Sequence, residues 1–92
     1  MQIKLLTLDS SDWTLEQQLR KISEEHHEVL RAVEFNTVYL AEETIDLMQS
    51  CKTFLEMLPS YDVLKANENH IAKLQLRALQ GKIKLLRRMN HD

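Results

Sequence analysis

SEEHHEVLRAVEFNTVYLAEETID, residues 23–46, decides how this chain folds. Apolar residues recur at helical spacing on both sides of Phe35-Asn36-Thr37, and no Gly or Pro separates them, so one long helix or two short ones fit the pattern. In a single helix, Glu28 and Glu43 would stand about 22 Å apart at 1.5 Å rise per residue, too far to share an ion. A hairpin at 35–37 brings the two acidic clusters, Glu24-Glu25-x-x-Glu28 and Glu43-x-x-Asp46, side by side. Asn36-Thr37 offers a turn followed by a new helix cap, and ordinary helix length favours a break there. The reading is a hairpin.

Working outward, Thr14 and Gln17 have capping-box spacing, so the first helix is expected over 14–34, after an N-terminal arm of residues 1–12. Its apolar stripe is Leu15, Leu19, Ile22, Val29 and Val33, with His26 on the same line. A polar row runs beside it: Gln18, Lys21, Glu25, Glu28 and Ala32. The second helix is expected over 37–58, with a stripe that includes Leu47, Cys51, Phe54 and Leu58 and a flank of Glu43, Asp46 and Ser50. Pro59 closes it, and Pro59-Ser-Tyr-Asp reads as a loop. A third helix is expected over 63–88, burying Leu64, Ile71, Ala78, Leu85, Leu86 and Met89, with Leu74 at the edge. Its opposite side carries Asn69, Lys73, Arg77, Gln80 and Lys84.

The chain has 92 residues, 43% hydrophobic and 28% charged, with one Gly and one Pro. Few chain breakers and much Leu, Glu, Lys and Gln predict an all-α fold. The expected architecture is a single domain, residues 1–92, forming an antiparallel bundle of three main helices. So short a chain buries a limited core, so the bundle is expected to be completed in a homodimer or homotetramer. No apolar run approaches a membrane span, and MQIKLLTLD lacks the features of a secretory signal. One cysteine excludes an internal disulfide framework and fits a reducing compartment, which predicts a cytoplasmic location. A net charge of −2 argues against coating nucleic acid polymers.

Four carboxylates converging in a partly buried cleft would repel one another and partly protonate unless a cation neutralised them. An oxygen-only set of Glu25, Glu28, Glu43 and Asp46 suits Mg²⁺ or Mn²⁺ and suits zinc poorly. Such an ion is a natural clamp on a polyphosphate, and Lys73 and Arg77 are candidates to hold its phosphate oxygens. The bland alternative is a solvated acidic face on a non-enzymatic helical interaction module, in which acids and bases merely pair between helices. His26 reads as a packed or interface histidine, and Cys51 as a buried, inert thiol. Glu24-x-x-His27 has di-iron spacing, but no second copy of that motif occurs in the chain.

The acidic pattern, with 14 residues between Glu28 and Glu43, resembles the signature of MazG-like nucleotide pyrophosphohydrolases. Trp13, then Gln18-x-x-Lys21-Ile22-x-Glu24-Glu25-x-x-Glu28, is similar to the family's entry into its metal helix. Asn69-His70-x-x-Lys73-Leu74-x-x-Arg77 resembles a third-helix segment of short members. Ala78-Leu79 departs from the Gly and aromatic that many of these carry after the Arg, and the tail from Gly81 matches no family feature. The resemblance covers residues 13 to 77 and implies Mg²⁺-dependent cleavage of a nucleoside triphosphate between its α and β phosphates. It also implies metal ligation by Glu25, Glu28, Glu43 and Asp46, and catalytic roles for Glu25 and Glu28. Glu24 becomes an outer acid or an orienter of the attacking water. Gln18, Lys21 and Asn69 become candidate nucleotide contacts, beside Lys73 and Arg77 on phosphate. A phosphoribosyl-ATP pyrophosphohydrolase-like activity falls within the same superfamily.

Overall fold

A computed structural model of the protein describes residues 1–35 and 37–86, with the backbone alone at Thr37. The described residues are helical, without strands: α1 spans Leu15–Phe35, α2 Leu40–Glu56 and α3 Ser60–Leu79, and a 3₁₀ turn at Thr37–Tyr39 precedes α2. Among them, no helix is long and apolar enough to cross a membrane. The chain divides into two compact units, Met1–Pro59 and Ser60–Asp92.

In the first unit, α1 starts where its local chemistry dictates. The Thr14 amide donates to Gln17 Oε1 at 2.9 Å, and the Gln17 amide donates to Thr14 Oγ1 at 3.0 Å. This reciprocal box satisfies two amides at the helix entry. The chain then folds back between α1 and α2: Gln18 meets Ser50, while Glu25 meets Glu43 and Asp46, so partner numbers fall as α1 advances.

The seam between α1 and α2 differs from the expected stripes. Gln18 and Ala32 of α1 and Ser50 and Thr53 of α2 are its buried residues, with Thr53 only 1% exposed. Ile22, Glu25 and Val29 are half-buried beside them, while Leu15, Leu19 and Val33 lie open. His26 and Cys51, expected on packed stripes, are exposed. The physical reason is helix geometry. The polar row lies one residue, about 100°, round from the apolar line, and the seam runs between them through Gln18, Ile22, Glu25, Val29 and Ala32, where small residues such as Ala32 and Ser50 let two helices approach closely.

The N-terminal arm is held by side chains of α2. Gln49 grips the backbone of Leu6 at both ends: the Leu6 amide donates to its Oε1 at 2.7 Å, and its Nε2 donates to the Leu6 carbonyl at 2.8 Å. Lys52 Nζ donates to the same carbonyl, to Thr7 Oγ1 and to Glu56, holding the Glu56 carboxyl below its ordinary pKa. Asp9 then accepts from the amide and hydroxyl of Ser11, turning the chain toward α1. Gln49→Ala should raise hydrogen exchange at the Leu6 amide by about tenfold or more, since it removes both ends of the grip. Unchanged protection would mean that Lys52 alone holds the arm.

The second unit is built on α3, whose ends correct the expected boundaries of 63–88. The helix begins directly after Pro59, which has no N–H to leave unpaired, and Asp62 lies in its first turn where the helix dipole favours acid. It stops at Leu79 because Gly81 adopts φ 77°, the left-handed conformation. The Gly81 amide donates to Ala78 O at 3.0 Å and the Lys82 amide to Arg77 O at 2.9 Å, which together form a Schellman cap. Leu85 and Leu86 therefore lie beyond the helix, and Arg87, Arg88 and Met89 fall outside the described residues. Leu64, Ile71, Leu85 and Leu86, expected in the core, are exposed, while Val63, Leu74 and Ala78 are half-buried. Among the described residues of this unit, α3 and its capping turn have no second helix to cover a stripe. The second helix is also shorter than expected, ending at Glu56, where Met57 and Leu58 tighten the last turn through bonds to Phe54 and Leu55.

Candidate functional site

Because the seam takes in part of each polar row, the acids meet along its edge. Glu25 of α1 and Glu43 of α2 are half-buried and Asp46 is exposed; each offers one carboxylate oxygen, and the three oxygens lie within 4.8 Å of one another. Glu43 and Asp46, three apart on α2, lie on the side facing Glu25. The Glu43 carboxyl titrates above its ordinary value of 4.5, first because burial disfavours its charge and then because Asp46, Glu28, Glu25 and Glu42 repel it. An octahedral Mg²⁺ with ligands near 2.1 Å places its oxygens roughly 3 to 4 Å apart, so small side-chain rotations would let the trio share one ion. Hard oxygen donors under mutual repulsion fit a divalent cation.

The cluster opens into a cleft of about 630 Å³ in the first unit. Leu8 and Trp13 form its apolar end, Gln17 and Gln49 a polar wall, and Lys21, Glu25 and Asp46 its charged end. This volume and mix of apolar and polar lining suit a ligand of nucleotide size. A smaller hollow of about 260 Å³, lined by Glu28, Arg31, Phe35, Tyr39 and Glu43, also includes one of the acids.

The remaining expected site residues separate by place. Glu28 is exposed and adds its charge to that felt by Glu43, but the trio within 4.8 Å is formed without it. Glu24 is exposed, and its charge reaches Lys21. Gln18 is 5% exposed, and its Nε2 donates to the Ser50 carbonyl at 2.9 Å, so that nitrogen is committed to the seam even though the residue lines the cleft. Lys21 pairs with Glu25 at 3.1 Å, and this contact, with the charges of Glu25, Glu24 and Asp46, raises its pKa. Asn69, Lys73 and Arg77 are exposed on α3, spaced four apart along one side of that helix.

Sequence reasoning missed Gln49 and Leu8 as cleft residues and gave Trp13 no role in the site. Gln49 follows Asp46 by three on α2, so extending the acidic flank by one turn would have found it. Leu8 carried no such signal, because it reaches the cleft only through the docked arm. No family model, no curated protein and no solved structure matches this chain.

The raised pKa of Glu43 has a measurable consequence. A carboxyl whose folded pKa exceeds its unfolded value contributes stability below the unfolded value and loses it as pH rises through the folded one. In chelator, the wild type should therefore lose stability relative to Glu43→Gln as pH rises from about 4 to 7. Glu56, with its lowered pKa, acts in the opposite sense but equally in both proteins, so the difference between their melting curves isolates Glu43. A constant difference across that range would contradict crowding of the acids.

Proposed function

We propose that the chain is a Mg²⁺-dependent nucleoside triphosphate pyrophosphohydrolase of MazG-like type, releasing a monophosphate and pyrophosphate. The observation that carries this reading is the convergence of Glu25, Glu43 and Asp46, two of which line the charged end of a cleft that holds Trp13 at its apolar end. Bound by the trio, Mg²⁺, or Mn²⁺ in its place, supplies water activation and stabilises charge developing on phosphoryl oxygens. Glu28, next to Glu43 but outside the trio, accepts the proton of the attacking water, and Glu24 adds to the negative field around it. Trp13 offers a flat face for the base. The family resemblance implies substrate contacts at Asn69, Lys73 and Arg77, and the proposed site of the first unit does not depend on them.

The open apolar line of Leu15, Leu19 and Val33 supports assembly into a homodimer or homotetramer, with helices packed antiparallel across copies. A monomer mass in light scattering at tens of micromolar would count against assembly. The free Cys51 thiol fits a cytoplasmic location.

The same open apolar line favours a second reading, a helical interaction module without chemistry. Mg²⁺ separates the two: millimolar Mg²⁺ should raise the melting temperature of the enzyme by several degrees and leave the module unmoved. The direct test is a panel of ribo- and deoxynucleoside triphosphates, with and without Mg²⁺, with the products identified. Monophosphate and pyrophosphate are expected. Orthophosphate as the released product, or turnover in excess chelator, would overturn the reading.

A further inference from the structure

Lys21 lies one helical turn before Glu25 and holds its carboxylate at 3.1 Å. The two side chains differ sharply in cover: that of Lys21 is 54% exposed, that of Glu25 14%. Asp46 acts on the same ammonium, so with Glu25 it makes two of the three clustered acids whose field Lys21 feels, and Glu24 from outside the cluster adds to it. The other ion pairs of the described residues, Arg20–Glu16 and Lys52–Glu56, leave the cluster untouched. Lys21 also lines the cleft beside Trp13 and Gln17.

An ammonium at that place acts as a stand-in cation. It offsets one of three negative charges and engages a carboxylate that a divalent ion needs. Two cations drawn to one carboxylate repel each other. The four-carbon stem of lysine lets the head swing several ångströms without moving the helix, and the ammonium itself is half exposed to water, which weakens its hold. Once displaced, the ammonium has the open cleft before it, where an anionic phosphate is its natural partner.

We propose that Lys21 hands Glu25 over: it holds this carboxylate in the metal-free protein, yields it to the incoming divalent cation, and turns into the cleft to take a phosphate oxygen of the substrate. The inference rests on the metal-dependent reading above and deepens it, because it makes cation and polyphosphate binding mutually reinforcing through one side chain.

The test is Mn²⁺ binding, followed by electron paramagnetic resonance, to the wild type and to Lys21→Met, which keeps the stem and removes the charge. Each is measured with and without a triphosphate whose α–β bridge is a non-hydrolysable imido group. Circular dichroism checks that the variant stays helical. Lys21→Met is expected to bind Mn²⁺ about tenfold tighter without nucleotide, an effect that shrinks in high salt. The analogue should tighten Mn²⁺ on the wild type and do so clearly less on the variant. Equal Mn²⁺ affinity in the two proteins would remove the role of Lys21 and leave the metal site standing. Weaker binding by the variant would also overturn the hand-over, making Lys21 an orienter of Glu25. A wild type that binds no Mn²⁺ at millimolar concentration would sink the metal reading itself, and the hand-over with it.

Discussion

Glu43→Gln should leave a folded protein whose triphosphate turnover falls by at least about 100-fold, in line with removing a single charge-stabilising group from a reaction of this kind. The carboxamide keeps the size of the side chain but gives up its charge and one of its two ligand oxygens. Of the three clustered acids, Glu43 feels all the others, so its loss weakens cation binding at the centre of the group. Without the metal, the same substitution relieves repulsion and should slightly raise the melting temperature, so lost activity cannot be confused with unfolding. Glu42→Gln is the control, since that exposed neighbour lies outside the cluster and should keep its turnover. Glu28→Gln separates ligand from base: a ligand's loss weakens Mn²⁺ binding, whereas a base's loss spares it and lowers turnover. Full activity in Glu43→Gln would show that the acids are a solvated face.

Gln18→Ala should cost the first unit roughly 1–3 kcal/mol of stability, the range for losing a buried hydrogen bond together with the volume that carried it. Gln18 is one of few well-buried side chains in this unit, and its amide spans from α1 to the Ser50 carbonyl on α2. Truncation leaves an acceptor dry and a gap where the seam is tightest. Gln18→Leu fills the gap without restoring the bond, so comparing the two in urea denaturation separates packing from hydrogen bonding. A loss below about 0.5 kcal/mol in Gln18→Ala, the scale of an ordinary surface change, would mean that the hairpin is held elsewhere. The variant also tests function from a distance. If Gln18 serves only the seam, turnover per folded molecule should change little, whereas a direct nucleotide contact would raise KM.

Much of this was readable from the chain alone, wherever the deciding interactions are local. Thr14 and Gln17 cap α1 through partners three residues away, so their spacing announces the helix start. The sharing of one side by Glu43 and Asp46, and its meeting with Glu25, follow from helical periodicity once a hairpin is chosen. The end of α3 was also written locally, in Gly81, but the apolar repeat through Leu85 and Leu86 competed with it. A left-handed glycine closing a Schellman cap overrides such a repeat, because it satisfies the last carbonyls outright.

Only tertiary structure decided which side of each helix is inside. The apolar line and the polar row of α1 are adjacent, one residue or about 100° apart, and periodicity assigns burial to the greasier one. Packing chose a seam between the two, through Gln18, Ile22, Glu25, Val29 and Ala32, which left His26 and Cys51 outside and drew Glu25 and Glu43 partly in. The grip of Gln49 on Leu6 joins residues 43 apart in sequence, so no local pattern encodes it. The cleft wall at Leu8 depends on that grip. Residue spacing determines which groups share a helix face; the approach of two helices determines which face loses its water, and with it which acids are forced together.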